Sequence, residues 1–449
     1  MSAARFWHYE ADVTDLATAP SEDIAERHRR SVNSILRTLE VDTRLLGMLV
    51  ALAVIWVGFH ILSGGTFLTP RNLWNLSVQT SVVAIMATGM VLIIVSRNID
   101  LSVGSMLGVV GMAVGLIQAE WLPNLIGFDH PLTWIIALLA GIVLGAAMGA
   151  LQGFIVAYVG VPSFIVTLGG LLVWRGLAWA LASGRTIAPM DGTFQLLGGG
   201  SRGRIGGPAS WAVGLVACLG IIALLLSGRR QRRKFGFRLR PVWADVTLGV
   251  VGSVAVLGAV AVINSYPMPE ALARQYAEAR GIPWPESGLN IALGIANPVL
   301  IALGMAVVMT IIATRRRFGR YVFAIGGNPE AAELGGIKTR WTILKAFILM
   351  GILVAVGAAV QTARLNAATS GLGQLTELYV IAAAVIGGTS LAGGIGTISG
   401  AVLGALVMQS LQSGMVLMGV DAPLQDIVVG IVLVIAVAID TVYRKRVTR

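Results

Sequence analysis

The chain has 449 residues, of which 56% are hydrophobic and 12% charged, and its mean hydropathy is +0.81. Soluble domains carry roughly one quarter charged residues, so this composition excludes an ordinary soluble protein and predicts a membrane protein. The net charge of +11 does not indicate nucleic-acid binding, because the excess of Lys and Arg lies in segments that flank apolar runs.

Residues 1–44 are predicted to form a cytoplasmic N-terminal segment. Ser21 is followed by Glu22 and Asp23, a pattern typical of a helix N-cap with acids in the first turn. Apolar residues then recur at helical spacing from Ile24 to Leu39, opposite several arginines. This pattern predicts an interfacial helix on the inner membrane surface, with a disordered tail as the alternative.

Apolar runs of the length of a bilayer span occupy the chain from residue 45 to residue 442. A crossing needs about 20 predominantly apolar residues. The runs lie near residues 45–62, 75–96, 102–119, 133–158, 163–183, 211–227, 244–265, 290–313, 343–363, 378–391, 395–413 and 424–442. We therefore predict an all-α polytopic membrane protein with about 12 transmembrane helices. The tenth run is too short to cross unaided, and Gly393 and Gly394 predict a bend that joins it to the eleventh.

The distribution of basic residues predicts that the N- and C-termini are both cytoplasmic. Lys and Arg are retained on the cytoplasmic side of membrane proteins, and in this topology 25 of the 33 fall in cytoplasmic segments. Residues 314–342 then form a cytoplasmic loop, and residues 443–449 form a basic cytoplasmic tail.

Several kinds of chemistry have no motif in the sequence. Lysine occurs only at positions 234, 338 and 345, never after a glycine, so there is no G-x-x-x-x-G-K-[ST] phosphate loop. The four histidines are scattered and Cys218 is the single cysteine, so no metal site is expected. No nucleophile elbow is identified, so no catalytic residue is expected, and without a phosphate loop no nucleotide cofactor is expected to bind this chain. Few ionisable residues interrupt the apolar runs, which argues for a neutral solute and a driving force supplied from outside the chain.

Two of the apolar runs carry glycines four residues apart, a spacing that lets another backbone approach one face of a helix. These glycines are Gly141, Gly145, Gly149 and Gly153 in the fourth run and Gly396, Gly400 and Gly404 in the eleventh. "GIVLGAAMGAL" (141–151) and "GTISGAVLGAL" (396–406) share the pattern G-x-x-x-G-A-x-x-G-A-L on helices predicted to run in opposite directions. An inverted repeat would give this pattern, and two independent packing stripes are the alternative.

The stretch "FAIGGNPEAAELGGI" (323–337) has the pattern of a short helix outside the membrane. Asn328 is a favourable N-cap and Pro329 a favourable first residue. Glu330 and Glu333 complement the positive end of the helix, and the glycine pair that follows can end it. About seven residues are too few to hold a helix alone in water. We therefore expect the segment to bind a partner, or alternatively to pack on neighbouring loops as a surface turn.

The motif "AIGGNPEAAELGGI" resembles the cytoplasmic coupling segment of permease subunits in bacterial ABC importers for monosaccharides, the ribose, galactose and xylose group. Further resemblance to this family lies in "SRNIDLSVGSMLG" (96–108), "GVPSFIVTLGGLLVWRGLA" (160–178) and "ARLNAATSGLGQLTELYVIAAAVIGGTSLAGGIGT" (363–397). The long N-terminus, two additional spans over 211–265 and "GIPWPES" depart from the ribose-type layout and resemble the xylose-type permeases.

The resemblance implies a permease subunit of an ATP-driven importer in the bacterial inner membrane. Its substrate would be D-xylose or a related pentose, delivered by a periplasmic sugar-binding protein. The complex would contain a second permease copy, as a homodimer in the lipid bilayer, and two ATP-binding subunits that hold the ATP and Mg. The residues expected to couple this chain to the ATP-binding subunits are Gly326, Gly327, Asn328, Pro329, Glu330, Glu333, Gly335 and Gly336.

Polar residues at breaks between the spans are candidates for the substrate pathway. Asn98 and Asp100 interrupt the connection between the second and third spans, and Thr389 and Ser390 lie at the glycine-rich break after the tenth. Amide and hydroxyl groups can hydrogen-bond sugar hydroxyls, and helix capping is the alternative for Asp100. An ion-coupled secondary sugar carrier, an exporter and a channel also fit 12 spans, and the coupling segment favours the importer over all three.

Overall fold

The computed structural model of this chain describes residues 39–40, 43–128, 130–200, 202–285 and 288–447. Within these residues the chain is almost wholly helical, and its β-pairing is limited to isolated bridges. The predicted interfacial helix of residues 1–44 lies almost entirely outside the described residues, as do the last two residues of the 443–449 tail.

The main helices of the described residues are numbered here in chain order. They are α1 (Thr43–Leu62), α2 (Pro70–Val95), α3 (Val103–Leu116), α4 (Thr133–Phe154), α5 (Ser163–Ala182), α6 (Gly207–Lys234), α7 (Val242–Asn264), α8 (Glu270–Ala279), α9 (Asn297–Arg315), α10 (Arg317–Gly327), α11 (Pro329–Leu334), α12 (Thr339–Leu365), α13 (Thr376–Ile386), α14 (Ile398–Leu417) and α15 (Ala422–Val447). Shorter helical turns are Ile117–Trp121, Pro123–Ile126, Ile155–Val159 and Phe194–Gly198.

Ten helices of the described part are long and apolar enough to cross a membrane. The predicted apolar runs fall on helices throughout, which confirms the all-α expectation for the described residues. Two of the runs fall on shorter apolar stretches, Thr376–Ile386 and Ala422–Ile435. The crossing of the bilayer by these two, which would complete the predicted topology, and the cytoplasmic position of the termini stay predictions.

The described residues divide into two compact units, one containing residues 39–40 and 217–254 and the other containing the described residues of 43–216 and 255–447. The smaller unit contains parts of α6 and α7 and of the predicted 211–265 insertion. In it, Cys218 is buried and its Sγ atom lies 3.8 Å from the carbonyl oxygen of Ser253, which joins the two helices.

Ion pairs hold the charged end of the smaller unit. Arg229 contacts Asp245 at 2.7 Å, and the carboxylate of Glu40 contacts Arg232 at 2.5 Å and Arg240 at 2.7 Å. Hydrogen bonds from Arg232 and Arg240 lower the pKa of Glu40 from its ordinary 4.5 to about 2. A single carboxylate thus pairs with Arg232 in the last turn of α6 and with Arg240 just before α7.

The larger unit is built around α2. The stretch from Val82 to Val95 carries no charge and is buried along its whole length. A helix that is apolar on every face is stable when other helices surround it, and α9, α12, α13 and α14 pack against α2. The core of this unit is therefore a single apolar helix with neighbours on several sides.

The first glycine stripe lies where α4 crosses α12. A Cβ at Gly145 would strike the carbonyl group of Gly351, and a Cβ at Gly149 would strike that of Phe347. A Cβ at Gly153 would lie 3.2 Å from Leu344 Cα, close to the start of α12. The glycines let these two backbones approach more closely than larger side chains allow.

The second glycine stripe lies where α14 packs on α13. A Cβ at Gly404 would strike the carbonyl group of Ala383, and one at Gly400 would strike that of Gly387. α4 ends near the start of α12, whereas α14 begins beside Val95 at the end of α2, close to α10. The two stripes thus lie on helices that run in opposite directions, and the inverted repeat stays a prediction that this arrangement supports.

An irregular segment, residues 366–375, joins α12 to α13 and turns back among the helices. A Cβ at Gly115, near the end of α3, would lie 2.8 Å from Ala368 Cβ, and Gly373 contacts Gly104 near the start of α3. The segment therefore runs antiparallel to α3, and α13 begins inside the helix bundle. This break was not predicted from the sequence.

The predicted bend at Gly393 and Gly394 is present as the turn 387–397 between α13 and α14. Their φ angles of +89° and +75° lie in the left-handed region that favours glycine. Gly393 N donates to the carbonyl oxygen of Ser390 at 2.9 Å, which tightens the turn.

Candidate functional site

A cavity of about 520 Å³ lies among α2, α12, α13 and α14, within the range of roughly 300–1,000 Å³ for small-molecule sites. Its polar lining is dominated by side-chain amides, those of Asn72, Asn75, Gln79, Gln361, Gln374, Gln409 and Gln412. Hydroxyl groups come from Thr369, Thr376, Tyr379 and Ser413. Among the described residues that line it, Arg364 is the only charged one and none is a carboxylate.

The amides reach the cavity because they recur at helical spacing. Asn72, Asn75 and Gln79 lie on one face of α2, and Gln409 and Gln412 lie on one face of α14. An amide group carries two donors and an acceptor, so it can bond a hydroxyl group in either sense. The lining therefore suits a neutral solute that is rich in hydroxyl groups.

The irregular segment 366–375 forms one wall of this cavity. Arg175 of α5 donates hydrogen bonds from its Nη1 atom to the carbonyl oxygens of Ser370 at 3.1 Å and Leu372 at 3.0 Å. Carbonyl groups that leave a helix inside an apolar bundle need such partners or water. Arg175 thus holds the non-helical wall in place.

A buried carboxylate lies behind that wall. Glu377, in the first turn of α13, is 6% exposed and contacts Gly104 of α3. Its Oε2 atom has no hydrogen-bond partner among the described residues, and the residue does not line the cavity. A solute in the cavity therefore does not meet this carboxylate.

The short helix predicted outside the membrane is present as α11, Pro329–Leu334. Asn328 is its N-cap, and the Oδ1 atom of Asn328 accepts a hydrogen bond from the backbone N of Ala331 at 3.0 Å. Gly335 follows the helix, and Gly336 has a φ angle of +81°. The local geometry agrees with the capping pattern, and the coupling role of these residues stays a prediction.

The surface of α11 is acidic with one apolar side chain. Glu330 and Glu333 are exposed, and Leu334 is 90% exposed. α10, which precedes α11 where the sequence predicted a basic loop, is amphipathic and buries Val322 and Ile325. α11 thus presents two exposed carboxylates and one exposed leucine on its surface.

The four predicted pathway residues lie away from the cavity lining. Asn98 is buried, and its Nδ2 atom donates to the carbonyl oxygen of Ser96 at 3.0 Å. Asp100 Oδ1 accepts hydrogen bonds from the N and Oγ atoms of the following Ser102 at 2.9 and 2.6 Å. These contacts are those expected of a local turn before α3.

Thr389 and Ser390 lie in the turn 387–397, next to the end of α2. Both are fully buried, and their hydroxyl groups have no hydrogen-bond partner in the described part of the chain. The structure thus brings the two predicted breaks together, but at the ends of the helices opposite the cavity. A pathway role for these residues stays a prediction.

The cavity amides were not singled out from the sequence, although a signal was present. Gln and Asn at positions i, i+3 and i+7 of an otherwise apolar helix define one polar face, as in 72–79. Gln374 carried no such signal because it lies in the irregular segment. No group of three His, Cys, Asp or Glu residues that could hold a metal ion occurs among the residues described.

These features define a multi-pass membrane protein with a polar cavity between its helices and an exposed acidic helix on one loop, the layout of a transport subunit. Residues 72–437 match the family described as the branched-chain amino acid transport system permease component. This match covers most of the chain, which belongs to that family.

Relatives named for sugars are similar over nearly the whole chain. The xylose transport system permease protein XylH of Haemophilus influenzae is 38% identical over 90% of this chain and 98% of its own length. XylH of Escherichia coli K12 is 37% identical over 90% and 94%, respectively. The ribose import permease protein RbsC of Escherichia coli K12 is 29% identical over 88% and 92%. No solved structure matches the chain.

Proposed function

We propose that this chain is the permease subunit of an ATP-driven importer that passes D-xylose, or a related pentose, through the bacterial inner membrane. The relatives named for xylose are more similar to it than those named for ribose or allose. The chain binds no nucleotide itself in this proposal, since ATP and Mg belong to a partner subunit.

The observation that carries the proposal is the chemistry of the cavity, about 520 Å³ lined by amides and hydroxyls. A pentose is neutral, and each of its hydroxyl groups both donates and accepts hydrogen bonds. Amide side chains answer both roles, and Gln409 and Gln361 are placed on facing helices to do so. The permease needs only weak affinity for the sugar, because tight binding would slow release of the sugar.

α11 supplies the contact with the ATP-binding subunit. Leu334 would enter an apolar groove of that subunit, while Glu330 and Glu333 would meet basic groups around it. ATP can shift the permease between two states only through contacts that differ between those states. An exposed helix tied to the membrane helices provides such a contact.

The proposed complex holds two copies of this chain, two ATP-binding subunits and a periplasmic sugar-binding protein. With α11 in the cytoplasm, the cavity lies at the opposite ends of α2, α12 and α14 and faces the periplasm. The sugar-binding protein would release its sugar at that side. The side assignment follows the positive-inside rule for the basic loops around α10 and α11.

Reconstitution of the whole complex in liposomes tests this function. We expect D-xylose with its binding protein to raise ATP hydrolysis several-fold and labelled D-xylose to accumulate only when ATP is supplied. D-ribose and D-allose serve as comparison sugars. Uptake by this chain alone, driven by a proton or sodium gradient, would show an ion-coupled carrier instead.

Charge reversal on α11 tests the coupling contact. The double variant Glu330→Lys and Glu333→Lys should abolish sugar-dependent ATP hydrolysis, because it replaces attraction by repulsion at the partner surface. Its elution volume and thermal unfolding in detergent should stay those of the unmodified chain. Glu278→Lys, an exposed acid on α8, is the control. Normal coupled turnover in the double variant would remove the assigned role.

A further inference from the structure

Three segments of the chain meet in backbone contact next to α11. They are the end of α2 at Val95, the end of α10 at Gly326 and the turn 387–397. Gly394 N donates a hydrogen bond to the carbonyl oxygen of Val95 at 2.9 Å. A Cβ on Gly326 would strike that carbonyl group and would lie 2.5 Å from Gly394 N. We call this contact the three-segment junction; it leaves no room for a side chain.

Arg97 ties the junction together. Its Nε atom donates to the carbonyl oxygen of Gly326 at 2.8 Å, and its Nη2 atom donates to that of Gly327 at 2.8 Å. These are terminal carbonyl groups of α10, which have no partners inside the helix. Hydrogen bonds from a guanidinium group are stronger than neutral ones, and positive charge is favourable at a helix C-terminus.

The backbone of Arg97 is itself unusual. Its φ angle of +64° lies in the left-handed region, which residues with a side chain seldom adopt. Such a conformation costs free energy and persists where the surroundings hold it. In this conformation the guanidinium group of Arg97 contacts the end of α10.

Each segment of the junction continues into an element that bears on function. α10 passes through Asn328 directly into α11. The other two segments belong to helices that line the cavity. Their lining residues are Asn72, Asn75 and Gln79 on α2, Thr376 and Tyr379 on α13, and Gln409 and Gln412 on α14.

We propose that Arg97 is a positioning residue that transmits displacement of α11 to the helices of the cavity. This inference rests on the proposed contact between α11 and an ATP-binding subunit. When that subunit moves α11, the end of α10 moves with it. Arg97 is hydrogen-bonded to two carbonyl groups there, and Gly326 packs directly on Val95. The end of α2 is therefore displaced together with α10. Gly394, bonded to Val95, carries the turn between α13 and α14 along.

A simpler role for Arg97 would be to cap α10 and no more. A cap contributes stability but leaves the number of sugars moved per ATP unchanged. The two roles therefore differ in a measurable ratio, and the test uses that ratio instead of activity alone.

The test compares variants of Arg97 in the reconstituted complex. Arg97→Asn removes the guanidinium group but keeps a residue that tolerates the left-handed conformation. Arg97→Lys keeps the charge without the planar two-donor group. We expect Arg97→Asn to lose stimulation by sugar and to move at least fivefold less sugar per ATP, with Arg97→Lys intermediate. Arg238→Asn, at an exposed arginine between α6 and α7, should match the unmodified complex.

A second pair of variants probes the contact without touching the charge. Gly326→Ala inserts a methyl group into the junction and should reduce the ratio of sugar to ATP as Arg97→Asn does. Gly304→Ala adds the same methyl group on α9, where nothing lies within 4 Å of it. The control should behave as the unmodified complex does.

Hydrogen exchange in the isolated chain gives a readout that needs neither sugar nor ATP. Arg97→Asn and Gly326→Ala should speed exchange of backbone N–H groups in the turn 387–397, because Gly394 N loses its held acceptor. Unchanged exchange in both variants would overturn the proposal, as would a normal ratio of sugar to ATP in either. An equal loss of activity in Arg97→Asn and Arg97→Lys, with an unchanged number of sugars moved per ATP, would show that Arg97 only caps α10. Failure of the unmodified complex to respond to any sugar would instead count against the proposed function, and exchange would still show whether Arg97 and Gly326 hold the turn 387–397 in place.

Discussion

Gln409 is the most deeply buried amide of the cavity lining, at 6% exposed. Its side chain makes no hydrogen bond to another described residue, so both ends of the amide group are available to a solute in the cavity. Asn72, in contrast, already accepts a hydrogen bond from Ser413 at 3.4 Å and donates one to Phe67. Gln409 is therefore a better position than Asn72 at which to test contact with a solute.

We predict that Gln409→Leu slows sugar uptake by the reconstituted complex roughly two- to tenfold, the effect of losing about 0.5–1.5 kcal/mol of hydrogen bonding. Leucine keeps the approximate size of the side chain and removes its polar atoms. Binding of sugar to the separate sugar-binding protein should not change. Gln231→Leu, at an exposed position of α6 far along the chain from the cavity residues, is the matched control. Uptake at the unmodified rate would place the solute path elsewhere.

At the scale of helices, the crossing of α4 and α12 depends on glycine. Gly149→Ala would place a methyl group against the carbonyl group of Phe347, 3.0 Å from its carbon atom. Overpacking of this kind costs about 1–3 kcal/mol. We predict a lower midpoint of thermal unfolding in detergent for Gly149→Ala. Gly176→Ala on α5, where the new Cβ meets nothing within 4 Å, should unfold at the unmodified temperature, and an equal shift in both would contradict the packing argument.

The ion pairs of Glu40 predict a pH dependence for the segment between α6 and α7. The pKa of Glu40 is lowered to about 2 from an ordinary value of 4.5. The stabilisation is therefore complete above the ordinary value and is lost as the pH falls from there toward 2. Its size is modest, because the carboxylate side chain is 44% exposed and solvent screens it.

Hydrogen exchange of residues 228–242 measures this effect. At pH 7, Glu40→Gln should exchange faster there than the unmodified chain, because both arginines lose their partner. The ratio of the two rates should approach one as the pH is lowered to about 2, where Glu40 is itself neutralised. Glu278→Gln serves as the control. A ratio that stays constant across this range would show that the ion pairs do not hold the segment.

The sequence predicted those elements whose signal is local. α2 and α12 follow from predominantly apolar runs, and α11 follows from Asn328 and Pro329 at its start. The irregular segment 366–375 could not be foreseen, because polar and glycine residues there predict an external loop. Its place inside the bundle depends on Arg175, which is remote in sequence. α10 was missed because three arginines at its start suggested a loop, while its buried face lies further on.

For the whole molecule, the proposal assigns the path of the sugar to this chain and the source of energy to a separate ATP-binding subunit. We predict that vesicles containing the complete complex keep accumulating D-xylose when ionophores collapse the proton and sodium gradients, and stop when ATP is removed. The sugar-binding protein should be required throughout, which an exporter would not need. Accumulation of D-xylose that depends on the ion gradient instead of on ATP would contradict this assignment.

The wall formed by residues 366–375 sets a condition on every stage of transport. Backbone groups inside a bilayer must meet water or a fixed partner, and an unmet group costs several kcal/mol. Arg175 serves Ser370 and Leu372, while other residues of this wall border the cavity. Closing the cavity and removing all solvent from it would leave the unbonded backbone groups of this wall without a hydrogen-bond partner. In the proposed importer, a state that closes the cavity therefore needs the sugar itself or water to bond the backbone groups of this wall that have no partner among the described residues.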